Sequence, residues 1–186
     1  MILSLAGTLE AKDPYTSGHS ARVGELGARL VAELDLPIAA QDEMRVAGLL
    51  HDIGKIETPQ KLLNKPGPLT VAEQDEVKTH PVRGCEICAG LRSVEAILPY
   101  IRHHHERWDG RGYPDGLIAE AIPLGARVLA VADAFDALTS ARSYRQPASQ
   151  EQAFEILMRE TGEGRWDPAV IAALGRLLDS PGAGAA

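Results

Sequence analysis

A chain of 186 residues can bury one substantial core, and 45% hydrophobic, 24% charged and only 4% aromatic residues make that core aliphatic and favour helices. A formal net charge of −7 excludes a broad electrostatic grip on duplex nucleic acid, which needs clustered lysine and arginine, but leaves room for a small anionic ligand held by local cations or metals. The opening MILSLAGTLEAK lacks a basic n-region, no later stretch approaches a membrane span, and two cysteines, Cys85 and Cys88, do not make a disulfide framework, so a cytoplasmic chain with a reduced helical CEIC pair is expected.

Helical periodicity begins in residues 1–12, which have no capping residue in front of them and read as the truncated end of a longer helix. Thr16 or Ser17 can cap the next helix, on which His19, Val23, Leu26 and Leu30 recur at spacings of four, three and four, placing His19 on the inward face. After a turn at Pro37, residues 39–50 carry Met44, Val46, Ala47, Leu49 and Leu50 into HDIGK, where Gly54 is expected to end the helix close to His51 and Asp52. KLLNKPGPLT is punctuated by proline and glycine, Thr70 with Glu73 predicts a capping box, and Pro81 predicts a helix starting directly after His80.

Residues 93–105 read as a helix that runs into HERWDGRGYPDG, whose glycines and prolines impose tight turns and an ordered loop bordering a site. From Pro123 the run LGARVLAVADAFDALTS has the small and apolar residues of a buried central helix, and 149–161 and 167–178 add peripheral helices. The tail SPGAGAA is expected to be disordered, leaving one all-α domain over residues 1–180.

Six histidines, at positions 19, 51, 80, 103, 104 and 105, fall mostly on helices or helix ends beside apolar residues. Neutral imidazole is a ready metal ligand near pH 7, and an aspartate can bridge two cations; His51-Asp52 supplies both. The positive end of the helix that follows His80 disfavours imidazolium there, and Asp133, within VLAVADAF, would be costly to bury without a cation. Taken singly, His19 or His80 reads as a hydrogen-bonded core histidine and Asp133 as the partner of an arginine. HHHERWD is no zinc-protease HExxH, because position 109 is Asp.

The stretches DPYTSGHSARV (13–23), LLHDIGKI (49–56), KPGPLT (65–70), THP (79–81), HHERWDGRGYP (104–114) and VADAFDALTSARSYR (131–145) resemble the HD-GYP family, bacterial cyclic di-GMP phosphodiesterases of the HD phosphohydrolase superfamily. That resemblance, over about residues 1–180, implies an HD-like helical bundle with a buried di-metal centre. It also implies hydrolysis of cyclic di-GMP to pGpG or GMP by a water activated between two divalent cations. Carried over by position, it implies His19, His51, Asp52, His80, His104, His105 and Asp133 as metal ligands. We expect His19, His51 and Asp133 around one metal and His80, His104 and His105 around the other, with Asp52 bridging.

Relatives with a third metal carry a glutamate four residues before the early histidine; Tyr15 stands there in this chain, so two metals are expected. Nitrogen and oxygen ligands suit iron or manganese and leave nickel, cobalt and zinc open. Asp52 and Lys55 are the expected catalytic pair; Lys55, Arg111, Tyr113, Arg142 and Arg145 are the expected substrate contacts. Arg111 reads equally as a solvated loop cation, Gly112-Tyr113-Pro114 as the lip of the pocket, and His103 as a neighbour of the ligands. Competing readings are an HD hydrolase for another cyclic dinucleotide or nucleotide, and a receptor or scaffold that binds cyclic di-GMP or a diguanylate cyclase without turnover. An upstream sensor or receiver domain and a homodimer through the first helix are further expectations.

Overall fold

The computed structural model describes residues 18–141 and 146–180. The predicted helix over 1–12, the caps at Thr16 and Ser17, Tyr15, Arg142, Arg145 and the tail from 181 onward lie outside the described residues. The described residues build helices α1 (His19–Glu33), α2 (Ile38–Leu50), α3 (Gln60–Leu63), α4 (Val71–Val77), α5 (His80–Cys88), α6 (Leu98–His103), α7 (Leu124–Thr139), α8 (Gln150–Gly162) and α9 (Pro168–Asp179). Short 3-10 turns occupy Ile53–Glu57, Arg92–Ile97 and Ala119–Ala121, and the described residues contain no strand. None of these helices is long and apolar enough to cross a membrane.

The central helix is α7, as its run of small and apolar residues predicts: Ala126, Val128, Leu129, Val131 and Ala132 are fully buried. Helices α1, α6, α8 and α9 pack around it. Fully buried leucines on three of these helices, Leu30, Leu157 and Leu174, meet in one continuous core, each contributing about 2 kcal/mol by leaving water. Capping residues start the outer helices: Thr70 and Glu73 form the predicted box on α4, Ser149 and Gln152 form another on α8, and Asp167 caps α9.

Two readings of the sequence are corrected. The helix predicted over 93–105 is a 3-10 turn followed by α6, because Pro99 has no amide hydrogen to donate and sits in the first turn of a new helix. Gly54 does not end α2; that helix stops at Leu50, turns through His51 and Asp52, and continues as the 3-10 turn. Gly54 serves a close approach instead, since a Cβ there would collide with the carbonyl oxygen of His80 and the amide of Gly84 on α5.

A second glycine contact sets α1 against α2. A Cβ on Gly48 would overlap the backbone of Gly24, and one on Gly24 would lie 2.7 Å from the carbonyl oxygen of Arg45. The two backbones therefore touch, and His19 at the start of α1 comes within 5.5 Å, ring centre to ring centre, of His51 beyond the end of α2. Gly48→Ala should lower stability by about 1–3 kcal/mol, since backbone cannot yield to the methyl. Gly162→Ala, where a Cβ meets open space, should be neutral or stabilising. Thermal melting of both variants checks the pair, and equal melting temperatures would contradict the glycine-contact account.

Candidate metal centre

The corner after α2 turns His51 and Asp52 into the space between α1, α5, α6 and α7. Asp52 is 5% exposed, and its two carboxylate oxygens face different neighbours. Oδ2 lies 2.6 Å from Nζ of Lys55 and 3.4 Å from Nε2 of His51, whereas Oδ1 lies 3.2 Å from Nε2 of His80. Burial alone would raise the Asp52 carboxyl, but Lys55, His51 and His80 outweigh it and hold the group well below the usual carboxylate range.

Three of the histidines are oriented in the same way. Nδ1 of His51 donates to the carbonyl of Gly48 at 2.8 Å, Nδ1 of His80 to Val77 at 2.8 Å, and Nδ1 of His104 to Ile101 at 2.6 Å. A carbonyl only accepts, so Nδ1 carries the proton in each ring and the Nε2 lone pair points inward. Gly48, Val77 and Ile101 belong to the last turns of α2, α4 and α6, where carbonyls lack partners within the helix. Each ring thus caps a helix end while presenting its other nitrogen to the site.

His19 is held by carboxylates instead: Nδ1 donates to Asp136 at 2.7 Å and Nε2 faces Asp133 at 3.2 Å. Arg22 pairs with Asp136 at 2.6 Å. Burial opposes a charge on His19, but the hydrogen bonds to Asp133 and Asp136 prevail and raise it to about 9. His104 and His105 go the other way, lowered by burial and by neighbouring imidazoles, His105 to about 3. Asp133, with 24% of its side chain exposed, is kept ionised against burial by His19 and His51.

Ligand-capable atoms converge in two groups that share Asp52. One is Asp52, His80, His104 and His105; the other is His19, His51 and Asp52, with the atoms of each group within 4.8 Å of one another. Nε2 of His51 is buried without a hydrogen-bond partner, a cost that a coordinated cation would remove. Nitrogen lone pairs beside ionised carboxylates are the donor set of a divalent transition metal, and these residues fit one.

Across residues 4–170 the sequence matches the HD-domain profile. The chain belongs to the HD-domain family. This HD domain is 42% identical to the cyclic di-GMP phosphodiesterase PA4108 of Pseudomonas aeruginosa over 92% of its own length and 41% of the relative's. It is 41% identical to the cyclic di-GMP phosphodiesterase response regulator RpfG of Xanthomonas campestris over 91% and 45%, and 38% identical to the 3'3'-cGAMP-specific phosphodiesterase 1 of Vibrio cholerae over 90% and 39%. It therefore spans less than half the length of these relatives, whose names agree with the HD-GYP resemblance. In fold it is similar to the cyclic GMP-AMP specific phosphodiesterase V-cGAP3 of Vibrio cholerae, with a TM-score of 0.74 at 22% identity over 97% of this chain and 48% of that one. It is likewise similar to Bd1817 of Bdellovibrio bacteriovorus, with a TM-score of 0.68 at 23% identity over 87% and 52%.

Of the predicted residues, the HD domain brings His19, His51, Asp52, Lys55, His80, His104, His105 and Asp133 together. The triad that closes around Asp52 is His19, His51 and Asp52; Asp133 adjoins it through His19. Tyr113 packs its ring 4.8 Å from that of His105. Arg111 is exposed, and its backbone amide donates to Asp109. His103 joins a separate group with Glu106 and Asp115.

Two residues without a role in the sequence reading emerge. Asp136 orients His19; its signal was a second carboxylate one turn after Asp133 on an apolar helix. Glu106, 4% exposed, is the clamp of the GYP loop: Oε1 accepts the amides of Asp115 and Gly116 at 2.7 and 3.0 Å, and Oε2 accepts that of Leu117 at 3.1 Å. The Tyr113 amide donates to the carbonyl of His105 at 3.2 Å, so the loop is tied to the histidine segment at both ends. Glu106→Gln turns one acceptor into a donor facing amide donors, at a cost of about 1–3 kcal/mol. Amide exchange at residues 115–117 should then accelerate by about tenfold or more while α7 keeps its protection; unchanged exchange would remove the clamp.

The opposed histidine shifts also make a pH statement for the chelator-stripped chain. His104 and His105 titrate below their unfolded value near 6.5, so their contribution is full above that pH and is lost as pH falls below it, for His105 on falling towards about 3. His19 titrates above it, so its contribution is full below 6.5 and is lost as pH rises through about 9. Melting temperature should fall on both sides of neutrality, with His19→Asn flattening the alkaline limb and His105→Asn the acid one. Limbs indifferent to these substitutions would refute the assignment.

Proposed function

We propose that this HD domain is a metal-dependent phosphodiesterase that hydrolyses cyclic di-GMP to pGpG and/or GMP. The observation that carries the reading is Asp52, one buried carboxylate whose two oxygens are divided between two histidine-rich groups. Two divalent cations, iron or manganese, would supply Lewis acidity to the phosphoryl group and a water of lowered pKa. His80, His104 and His105 would hold one, His19, His51 and Asp133 the other, and Asp52 both.

The chain's own residues do the rest. Lys55, fixed by Asp52 and 22% exposed at its side chain, offers an ammonium to a phosphate oxygen and stabilises charge gathering there. Carbonyl and carboxylate contacts hold the rings in one orientation, so no reorganisation is needed when substrate arrives. Tyr113 forms a wall that shields His105 from water. Beyond the described residues, we assign Arg142 and Arg145 to substrate phosphate, and Arg111 to the same ligand from the loop side.

A second reading follows from the relatives: proteins named as specific for 3'3'-cGAMP match at 35–38% identity, beside those named for cyclic di-GMP. Either substrate needs the same phosphoryl chemistry. We further propose that the domain works as part of a larger protein with a sensor or receiver unit, as the greater length of the relatives supports, and that it pairs as a dimer.

Anaerobic reconstitution with iron or manganese, then product analysis on cyclic di-GMP, 3'3'-cGAMP and mononucleotides, tests the reading. Turnover of cyclic di-GMP is expected to fall by about a hundredfold in Lys55→Ala. Asp52→Ala is expected to lose both ions together with activity. Two tightly bound ions in Asp52→Ala, or no turnover with any metal, would contradict it.

A further inference from the structure

His103 is the histidine that the two groups around Asp52 leave over, and its surroundings differ from those of the other rings. It is the last residue of α6, directly before His104 and His105, and it lies against Asp115 of the GYP loop. Nδ1 is 3.4 Å from Oδ2 of Asp115 and 3.9 Å from Oε1 of Glu106, and the three residues bring ligand-capable atoms within 4.8 Å of one another. That same Nδ1 is buried and makes no hydrogen bond. No protonation form of the ring suits the place. A proton on Nδ1 would find both acceptors too distant for a good hydrogen bond, and a lone pair there would face two carboxylates. A cation set between the three groups satisfies all of them at once.

The carboxylates have capacity for it, since each offers about four lone-pair sites. Glu106 uses three, on the amides of Asp115, Gly116 and Leu117. Asp115 uses two, on the Arg102 guanidinium at 2.8 and 2.9 Å. One imidazole nitrogen and two carboxylate oxygens are ligands that zinc accepts, with water completing its four positions. The Glu106 side chain is buried and that of Asp115 is 35% exposed, so an ion enters from the Asp115 side.

We propose that His103, Glu106 and Asp115 form a separate divalent-cation site, of zinc chemistry, that fastens the GYP loop to the segment bearing His104 and His105. The site shares no residue with the groups around Asp52 and does not depend on the phosphodiesterase reading. Glu106 and the Tyr113 amide already tie this loop to that segment. A bound ion adds a further tie, so the mobility of the loop follows the concentration of free zinc.

Equilibrium dialysis of the purified chain against buffered free zinc tests this, with zinc bound per chain as the readout. His103→Ala and Asp115→Asn should each weaken one equivalent by about tenfold or more and leave the others as they are. The comparison is a difference, so it holds for any number of ions at Asp52. Arg102→Gln separates a cation site from a structural contact: taking a positive charge away from Asp115 should tighten that same equivalent by about threefold or more. A loop that merely needs the Arg102 pair would bind zinc no better, or worse. Amide exchange at residues 115–117 should slow on adding zinc by more in the wild type than in His103→Ala. Isotherms of His103→Ala and Asp115→Asn that overlay the wild type, no gain in Arg102→Gln, or equal slowing of exchange would each overturn the proposal.

Discussion

Asp52 is the group on which the arrangement depends. A buried carboxylate costs several kcal/mol unless positive charge or hydrogen-bond donors surround it, and this one has Lys55 on one oxygen and imidazoles on both. Satisfying it requires two separate pieces of chain: the corner after α2 with His51 and Lys55, and the start of α5 with His80. The glycine contacts are where this requirement becomes architecture. Gly24 against Gly48 draws α1 onto α2, and Gly54 against α5 brings the His80 end of that helix to Asp52. Side chains of ordinary size at these points would hold the two halves of the site apart.

The imidazoles are not electrically equivalent. His104 and His105 are held neutral by burial and by neighbouring imidazoles, while His19 is drawn towards the cationic form by two carboxylates. The site is thus graded, from a side rich in neutral nitrogen to one rich in negative oxygen, with Asp52 between them. Lys55 pairs with Asp52 in the middle of that gradient, and the overall charge of −7 has little influence over such short distances.

What could be read from sequence was what depends on neighbours along the chain. The capping box of Thr70 and Glu73, the buried character of α7 and the position of His51-Asp52 at a helix end all follow from residues within a few positions of one another. Pro99 is equally local, and the boundary it sets inside 93–105 is masked by the apolar periodicity on either side of it. Gly54 illustrates the opposite case: glycine is compatible with a helix end and with close backbone contact, and only the arrival of α5 decides between them. Asp136 and Glu106 act on partners brought in by folding, 117 residues away for His19 and 9–11 residues away for the loop amides, so their types alone did not disclose their tasks. The HD-GYP resemblance supplied the candidate ligand set and its division; the structure gathers those side chains in two groups that share Asp52.

The histidine caps complicate a familiar experimental habit. Replacing a ligand histidine is the customary way to make an inert control that differs from its parent in chemistry alone. Here the same ring that turns Nε2 to the site turns Nδ1 to the last turn of α2, α4 or α6. Alanine at position 51, 80 or 104 would leave that helix terminus open as well as removing a candidate ligand. A replacement at any of these rings therefore alters a helix end and the candidate centre together, and a loss of activity there has to be read beside a melting curve.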